Sequence, residues 1–243
     1  MKPLLWSIPK EELTLAQVDD LYEKLVKRLK QISEKHHDVR FATSLAAEDM
    51  VITDAIAKEN MRIQLFTLNT GRLHQASIEM YQLVQQHYKI KIESIEPQEE
   101  NVDQYLRDFG LNGFYDSEEA KKKCCDVRKV QPLQKALHGA DAWLTGQRRE
   151  QAVTRTQLEF EEHDQARGIA KFNPIFDFSE NEMWAYLLKR QVPIHKLHHQ
   201  GYPSIGCEPC TRSIKQGEEI RAGRWWWLQK DSKECGLHVE TSL

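Results

Sequence analysis

Five cysteines carry most of the chemical information in this 243-residue chain. Cys124 and Cys125 are adjacent, Cys207 and Cys210 form a CxxC, and Cys235 stands alone near the end. In a reducing compartment, cysteines spaced like this bind metal or do chemistry more often than they form structural disulfides. Four thiolates suit an iron–sulfur cubane and also structural zinc, and Cys207-Glu-Pro-Cys210 fits either. Cys124-Cys125 is less typical of zinc, whose paired ligands are separated by roughly two to four residues. Adjacent helical residues point about 100° apart, so bringing both to one centre takes a large cluster or a local distortion; the cluster is favoured. Lys123, Arg128 and Lys129 are placed to offset its negative charge. Cys235, in Glu234-Cys-Gly-Leu-His238, is then free to act as a nucleophile, with His238 or an arginine lowering its pKa.

Three further segments read as anion-binding loops. Ser44-Leu-Ala-Ala-Glu-Asp49 offers a hydroxyl and backbone N–H groups at a helix N-terminus. Asn69-Thr-Gly-Arg72 is a tight turn carrying a guanidinium. Thr145-Gly-Gln-Arg-Arg-Glu-Gln-Ala-Val-Thr-Arg155 brings three arginines just past a strand, and arginine forks match phosphate and sulfate oxygens bidentately. Together they suggest a nucleotide with a densely anionic tail. Arg221 and Arg224 flank the start of Trp225-Trp-Trp227; three consecutive tryptophans cannot all face one core, so at least one touches a ligand, a lid or a partner.

The elements that must position these residues alternate. A helix is expected from Thr14 to about His36, its apolar stripe running Val18, Leu21, Leu25, Leu29, Ile32, with Thr14 and Gln17 as a capping box. Strands are expected at Val39–Thr43, Arg62–Leu68, Lys89–Ile95 and Asp141–Thr145, with helices at about Glu48–Lys58, up to Tyr88, and Lys121 to about His138. Ser179 and Glu182 cap a last helix that Pro193 closes. This alternation predicts an α/β fold with a mostly parallel sheet and helices on both faces, and ligands then bind beyond the carboxyl ends of the strands. From Gln200 onward glycines and prolines make the chain loop-rich, which reads as a mobile C-terminal tail; the expected division is 1–217 for the nucleotide-binding unit with the iron–sulfur site and 218–243 for the tail.

Apolar residues make up 40% of the chain, enough for a packed core, and the net charge of −3 argues against general nucleic-acid or membrane-surface binding. No run approaches the roughly 18 apolar residues of a membrane helix, and Met1–Lys10 lacks the pattern of a signal peptide, so the expected location is cytoplasmic. A homo-oligomer is left open.

The motifs SLAAED, LNTGR, KKCCDVRK, TGQRREQAVTR, GCEPCTR, RAGRWWW and ECGLH, from about Phe41 to His238, resemble the assimilatory sulfonucleotide reductases, specifically adenylylsulfate (APS) reductases that carry a 4Fe–4S cluster. The resemblance implies a Rossmann-like adenine nucleotide α-hydrolase fold. It implies one 4Fe–4S cluster on Cys124, Cys125, Cys207 and Cys210, with Lys129 associated, and Cys235 and His238 as catalytic residues. Substrate contacts would come from Ser44, Glu48 and Asp49, from Leu68, Thr70, Gly71 and Arg72, from Thr145, Gly146, Arg148, Arg149 and Arg155, and from Arg221, Arg224 and Trp225. Ser44–Asp49 would be a modified pyrophosphate loop, with Arg148, Arg149, Arg221, Arg224 and His238 at the sulfonate end. The implied reaction reduces adenosine 5′-phosphosulfate to sulfite and AMP through a sulfonated Cys235, with thioredoxin or a glutaredoxin-like dithiol protein as reductant. Ala46 departs from a common glycine, and Ala152 from a common serine. The rivals are a reductase of the 3′-phosphorylated substrate PAPS, an ATP-pyrophosphatase-type thiolation enzyme, and a metal-binding module without catalysis.

Overall fold

A computed structural model describes residues 3–10, 12–151 and 155–228. The chain begins with helix α1, Leu15–Lys35, started by the expected reciprocal box: Thr14 Oγ1 accepts the Gln17 N–H while the Gln17 side chain accepts the Thr14 N–H. The elements that follow are β1 (Val39–Ala42), α2 (Ala47–Lys58), β2 (Gln64–Leu68), α3 (Gln75–Tyr88), β3 (Ile92–Ile95), α4 (Glu99–Phe109), α5 (Glu118–Cys125), α6 (Gln131–Ala136), β4 (Ala142–Leu144), β5 (Glu161–Asp164), β6 (Ile169–Phe172) and α7 (Glu180–Lys189). The sheet order is β3-β2-β1-β4-β6-β5. Every pairing is parallel except β5 with β6, which form an antiparallel hairpin at the edge.

Strand alternation sends side chains to two cores. Val39, Phe41, Leu65 and Leu144 pack with the buried stripes of α1, α2 and α7 on one face. Phe66 and Trp143 face the opposite way, against Leu133, Ala136 and Leu137. The parallel strands are therefore covered on both sides, as their short apolar runs require. After β1 the chain builds outward through β2 and β3, then returns to the other side of β1 as β4. That reversal opens a crevice at the carboxyl ends of β1 and β4.

Sequence patterning located α1, α2, α3, α7 and β1 to β4 to within a few residues. It did not pick out α4 or the β5–β6 hairpin. The hairpin strands, Glu-Glu-His-Asp at the sheet edge and Ile-Ala-Lys-Phe inside it, lack a regular alternation. Glu218–Leu228 of the expected tail is tied back: Arg212 N–H donates to Gly223 O, Trp225 N–H donates to Cys210 O, and Thr211 bridges to Arg224. Among the described residues no helix is long and apolar enough to cross a membrane.

An ion-pair knot joins α1 to the segment after β6. Asp177 receives a bidentate bond from Arg28, at 2.7 and 2.8 Å, and a 2.7 Å bond from Lys24. Burial works against ionisation, but these cations hold the carboxyl down at about 2. A depressed folded-state pKa contributes stability that is complete above the unfolded value near 4 and is lost as pH falls toward 2. Asp177→Asn should therefore lower the urea midpoint at pH 7, and the gap from wild type should narrow as pH falls to 3. A gap independent of pH would contradict this.

Candidate active site

A cavity of about 420 Å³ opens at the β1/β4 crevice. It is lined by all three predicted loops: Ser44, Leu45, Ala46, Glu48 and Asp49 after β1; Leu68, Asn69 and Thr70 after β2; Thr145, Gly146 and Gln147 after β4. Arg155, Arg221, Arg224, Trp225, Lys129 and Cys207 complete the polar side, and Leu73, Ile78 and Tyr81 form an apolar wall from α3 and the turn before it.

Asp49 ties the first and third loops together. Its Oδ2 accepts both the backbone N–H and the hydroxyl of Ser44 at 2.6 Å. Burial pushes its pKa up to about 6, while the Ser44 bonds and the Gly146 N–H pull the other way. Gly146 is needed for this approach, because a Cβ there would lie 2.0 Å from Asp49 Oδ1.

The first loop differs from its expected role in one respect. Its backbone N–H groups face protein acceptors: Ser44 N–H meets Asp49, Leu45 N–H meets Thr43 Oγ1, Ala46 N–H meets Ser44 Oγ, and Ala47 N–H meets His198 Nε2. Leu45 sits buried at φ 59°, a left-handed conformation that costs about 1–2 kcal/mol for a residue with a Cβ. The loop is held rigid by its own side chains, and charge for an anion must come from the cations around it.

The predicted arginines separate into two groups. Arg155, Arg221 and Arg224 line the cavity; Arg72, Arg148 and Arg149 do not. Arg148 is almost fully buried, pairs with Glu48 at 3.0 Å and donates to Phe178 O. Burial opposes ionisation of Glu48, yet this guanidinium holds its carboxyl below the usual range. Arg149 turns outward to Leu158 O and lies over the Phe176 ring. Arg72 donates to Leu111 O and Asn112 and lies over Phe114. Arg148 and Arg149, expected at the sulfonate end, thus lie outside the cavity lining, held by the Glu48 carboxylate and against the Phe176 ring. Gly71 is also outside the lining; it makes the left-handed turn of the second loop, next to Arg128, which donates to Thr70 O at 2.8 Å. Trp225 is buried between Lys121 and Arg224, each 4.6 Å from its ring, whereas Trp226 is exposed and Trp227 packs on Tyr115.

The four paired cysteines are free thiols, and Cys207 is the one of them that borders the cavity. Its Sγ lies 3.4 Å from Thr70 Oγ1. The expected helix of residues 121–138 is interrupted after the cysteine pair by a π-helical turn, Asp126–Val130, in which Gln131 N–H bonds back to Asp126 O. Such insertions are frequent at functional sites, and this one lies directly after the cysteine pair. Burial, then the Cys207 and Cys124 sulfurs, push Cys210 up to about 12, with Lys129 and Arg224 opposing. Burial likewise raises Cys124, against Arg128 and Lys129. Lys123 instead pairs with Asp126. Among the described residues no three His, Cys, Asp or Glu side chains are gathered around a single-ion site. Cys235, His238 and Ala152 lie outside the described residues.

Sequence reasoning missed Arg128's bond to the second loop, His198, and the wall Pro203–Gly206. The run of glycine and proline before Cys207 was the available signal for the wall; nothing in the sequence marked His198.

Gly146→Ala must force the β4 loop away from Asp49. Overpacking of this kind costs about 1–3 kcal/mol, which thermal unfolding will show as a lowered midpoint. An unchanged midpoint would contradict the contact.

The phosphoadenosine phosphosulfate reductase domain model matches residues 38–213. A protein of Neisseria meningitidis serogroup A named adenosine 5′-phosphosulfate reductase is 53% identical over 239 residues, covering 98% of both chains. A Burkholderia cepacia protein of the same name is 55% identical and covers 90% of this chain and 88% of its own. Among solved structures, a phosphoadenylyl-sulfate reductase from Candida auris superposes with a TM-score of 0.67 at 22% identity, covering 84% of this chain and all of that one. An FMN adenylyltransferase from Candida glabrata, TM-score 0.57 and 13% identity over 90% of this chain and 76% of its own, shares the fold. A crevice built from three strand-end loops, with Cys207 in its lining, thus coincides with a family model spanning most of the sequence: the chain belongs to the phosphoadenosine phosphosulfate reductase domain family.

Proposed function

We propose that this chain reduces adenosine 5′-phosphosulfate to sulfite and AMP in assimilatory sulfate reduction, the route to cysteine, with electrons from thioredoxin or a glutaredoxin-like dithiol protein. The observation that carries the reading is the cavity itself, where strand-end loops, three arginines and Lys129 meet Cys207 of the second cysteine pair. Near full-length identity to proteins named for this reaction supports it.

In this reading the apolar wall of Leu73, Ile78 and Tyr81 takes the nucleoside, and Arg155, Arg221, Arg224 and Lys129 neutralise the phosphosulfate. The Cys235 thiolate attacks the sulfonate sulfur. The S–O bond to the phosphate breaks, AMP leaves with the electron pair, and Cys235 carries an S-sulfo group. The cations hold the charge that develops on the sulfonate oxygens and the leaving phosphate. A thiolate of the dithiol protein then attacks Cys235 Sγ, sulfite departs with the S–S electrons, and the second thiol resolves the mixed disulfide. The dithiol is oxidised, and both electrons reach the sulfur that leaves as sulfite. A reducing dithiol and unpaired thiols fit a cytoplasmic enzyme.

Cys124, Cys125, Cys207 and Cys210 would hold one 4Fe–4S cluster. The donor set fits: four free thiols on two segments, of which Cys124, Cys207 and Cys210 act on one another, with Lys129 acting on Cys124 and Cys210. When bound, the cluster supplies a fixed electrostatic centre beside the cavity. The 3′-phosphorylated substrate is the second reading, favoured by the domain's description.

Two outcomes follow. Mixing the protein with APS without reductant should leave one SO₃ on Cys235 by mass spectrometry, absent in Cys235→Ser; sulfite made by unmodified protein would contradict the mechanism. Anaerobically purified protein should carry iron and sulfide that Cys207→Ser or Cys124→Ser strongly reduces, whereas iron-free wild type would defeat the cluster assignment.

A further inference from the structure

Helix α2 begins without a side-chain cap. Its N-cap residue is Ala46, which has no acceptor to offer. The acceptor comes instead from residue 198: His198 Nε2 takes the Ala47 N–H at 3.2 Å. His198 Nδ1 lies 2.8 Å from Tyr202 O, and a carbonyl only accepts, so Nδ1 carries the proton and Nε2 is the free acceptor. The ring is completely buried, with Trp184 and Trp6 edge-on at 5.1 and 6.4 Å. Burial pushes its pKa down to about 4, despite Glu48 nearby, and His199 adds to the lowering.

The two bonds of this imidazole reach two walls of the cavity. Ala47 follows Ser44, Leu45 and Ala46, the lining of the first loop, and Tyr202 precedes Pro203–Cys207, the lining beside the cysteines. We propose that His198, which does not line the cavity, is a positioning residue for substrate binding: its neutral imidazole caps α2 from a distant part of the chain, fixes the left-handed turn at Leu45, and sets the spacing between the first loop and the Pro203–Cys207 wall. Protonated, the ring would present a second N–H to the Ala47 N–H and the cap would fail.

The proposal rests on reading the cavity as an adenylylsulfate site, and the tests separate the two. In ligand-free wild-type protein, nitrogen NMR should find His198 with Nδ1 protonated and Nε2 bare at pH 7; the opposite tautomer overturns the proposal. His198→Phe keeps a buried ring without the acceptor. It should expose the Ala47 amide to hydrogen exchange and raise the KM for APS and the Kd for AMP about tenfold, as expected for an orphaned buried donor, with little change in kcat. His198→Gln, which offers an amide oxygen, should restore most of both. If the phenylalanine variant fails to fold, the tautomer and the glutamine variant decide. A His198→Phe protein with wild-type KM, or with Ala47 still protected, overturns the proposal, whereas wild type inactive on APS would defeat the substrate reading alone.

Discussion

The site depends on one buried carboxylate. Asp49 accepts two bonds from Ser44 at 2.6 Å and approaches Gly146 so closely that no side chain fits there. These two loops end β1 and β4, the strands between which the sheet reverses its order. Parallel strands leave a crevice at such a point, but nothing in the sheet itself fixes the width of the crevice. Asp49 does so from below, and the Arg148–Glu48 pair braces the same two segments. These contacts engage acidic and basic groups of the predicted site, and among the described residues the basic side chains that line the cavity are Lys129, Arg155, Arg221 and Arg224.

The cysteine side is governed by the opposite tendency. Buried sulfurs brought close to each other resist ionisation, and Cys210 and Cys124 are both pushed upward. Metal binding needs thiolates, so it must release protons. Lys129 lies at the junction, lining the cavity and acting on both sulfurs. A charge placed there acts on the sulfurs and on the cavity together.

Much of this was legible in the sequence. The capping box at Thr14, the short apolar strands and the three polar loops after them placed the fold and the crevice, because period and turn chemistry are local signals. From sequence, the pairing of Cys124 with Cys125 favours a large cluster over a local distortion of the helix, and a π turn does follow them. The fate of individual arginines was not legible. Arg148 and Arg149 are neighbours, yet one is drawn inward by Glu48 and the other outward onto Phe176, contacts made across long sequence separations. His198 was hidden for the same reason: its role is defined by an amide 151 residues away.

The central claim is that the crevice accepts a 5′-phosphosulfate and that sulfite is what the enzyme releases. Sulfite release, measured anaerobically with a reducing dithiol protein at equal concentrations of APS and PAPS, tests it most directly. The account predicts rapid release from APS and little from PAPS. Preference for PAPS, or no sulfite from either with pyrophosphate release from ATP instead, would contradict it.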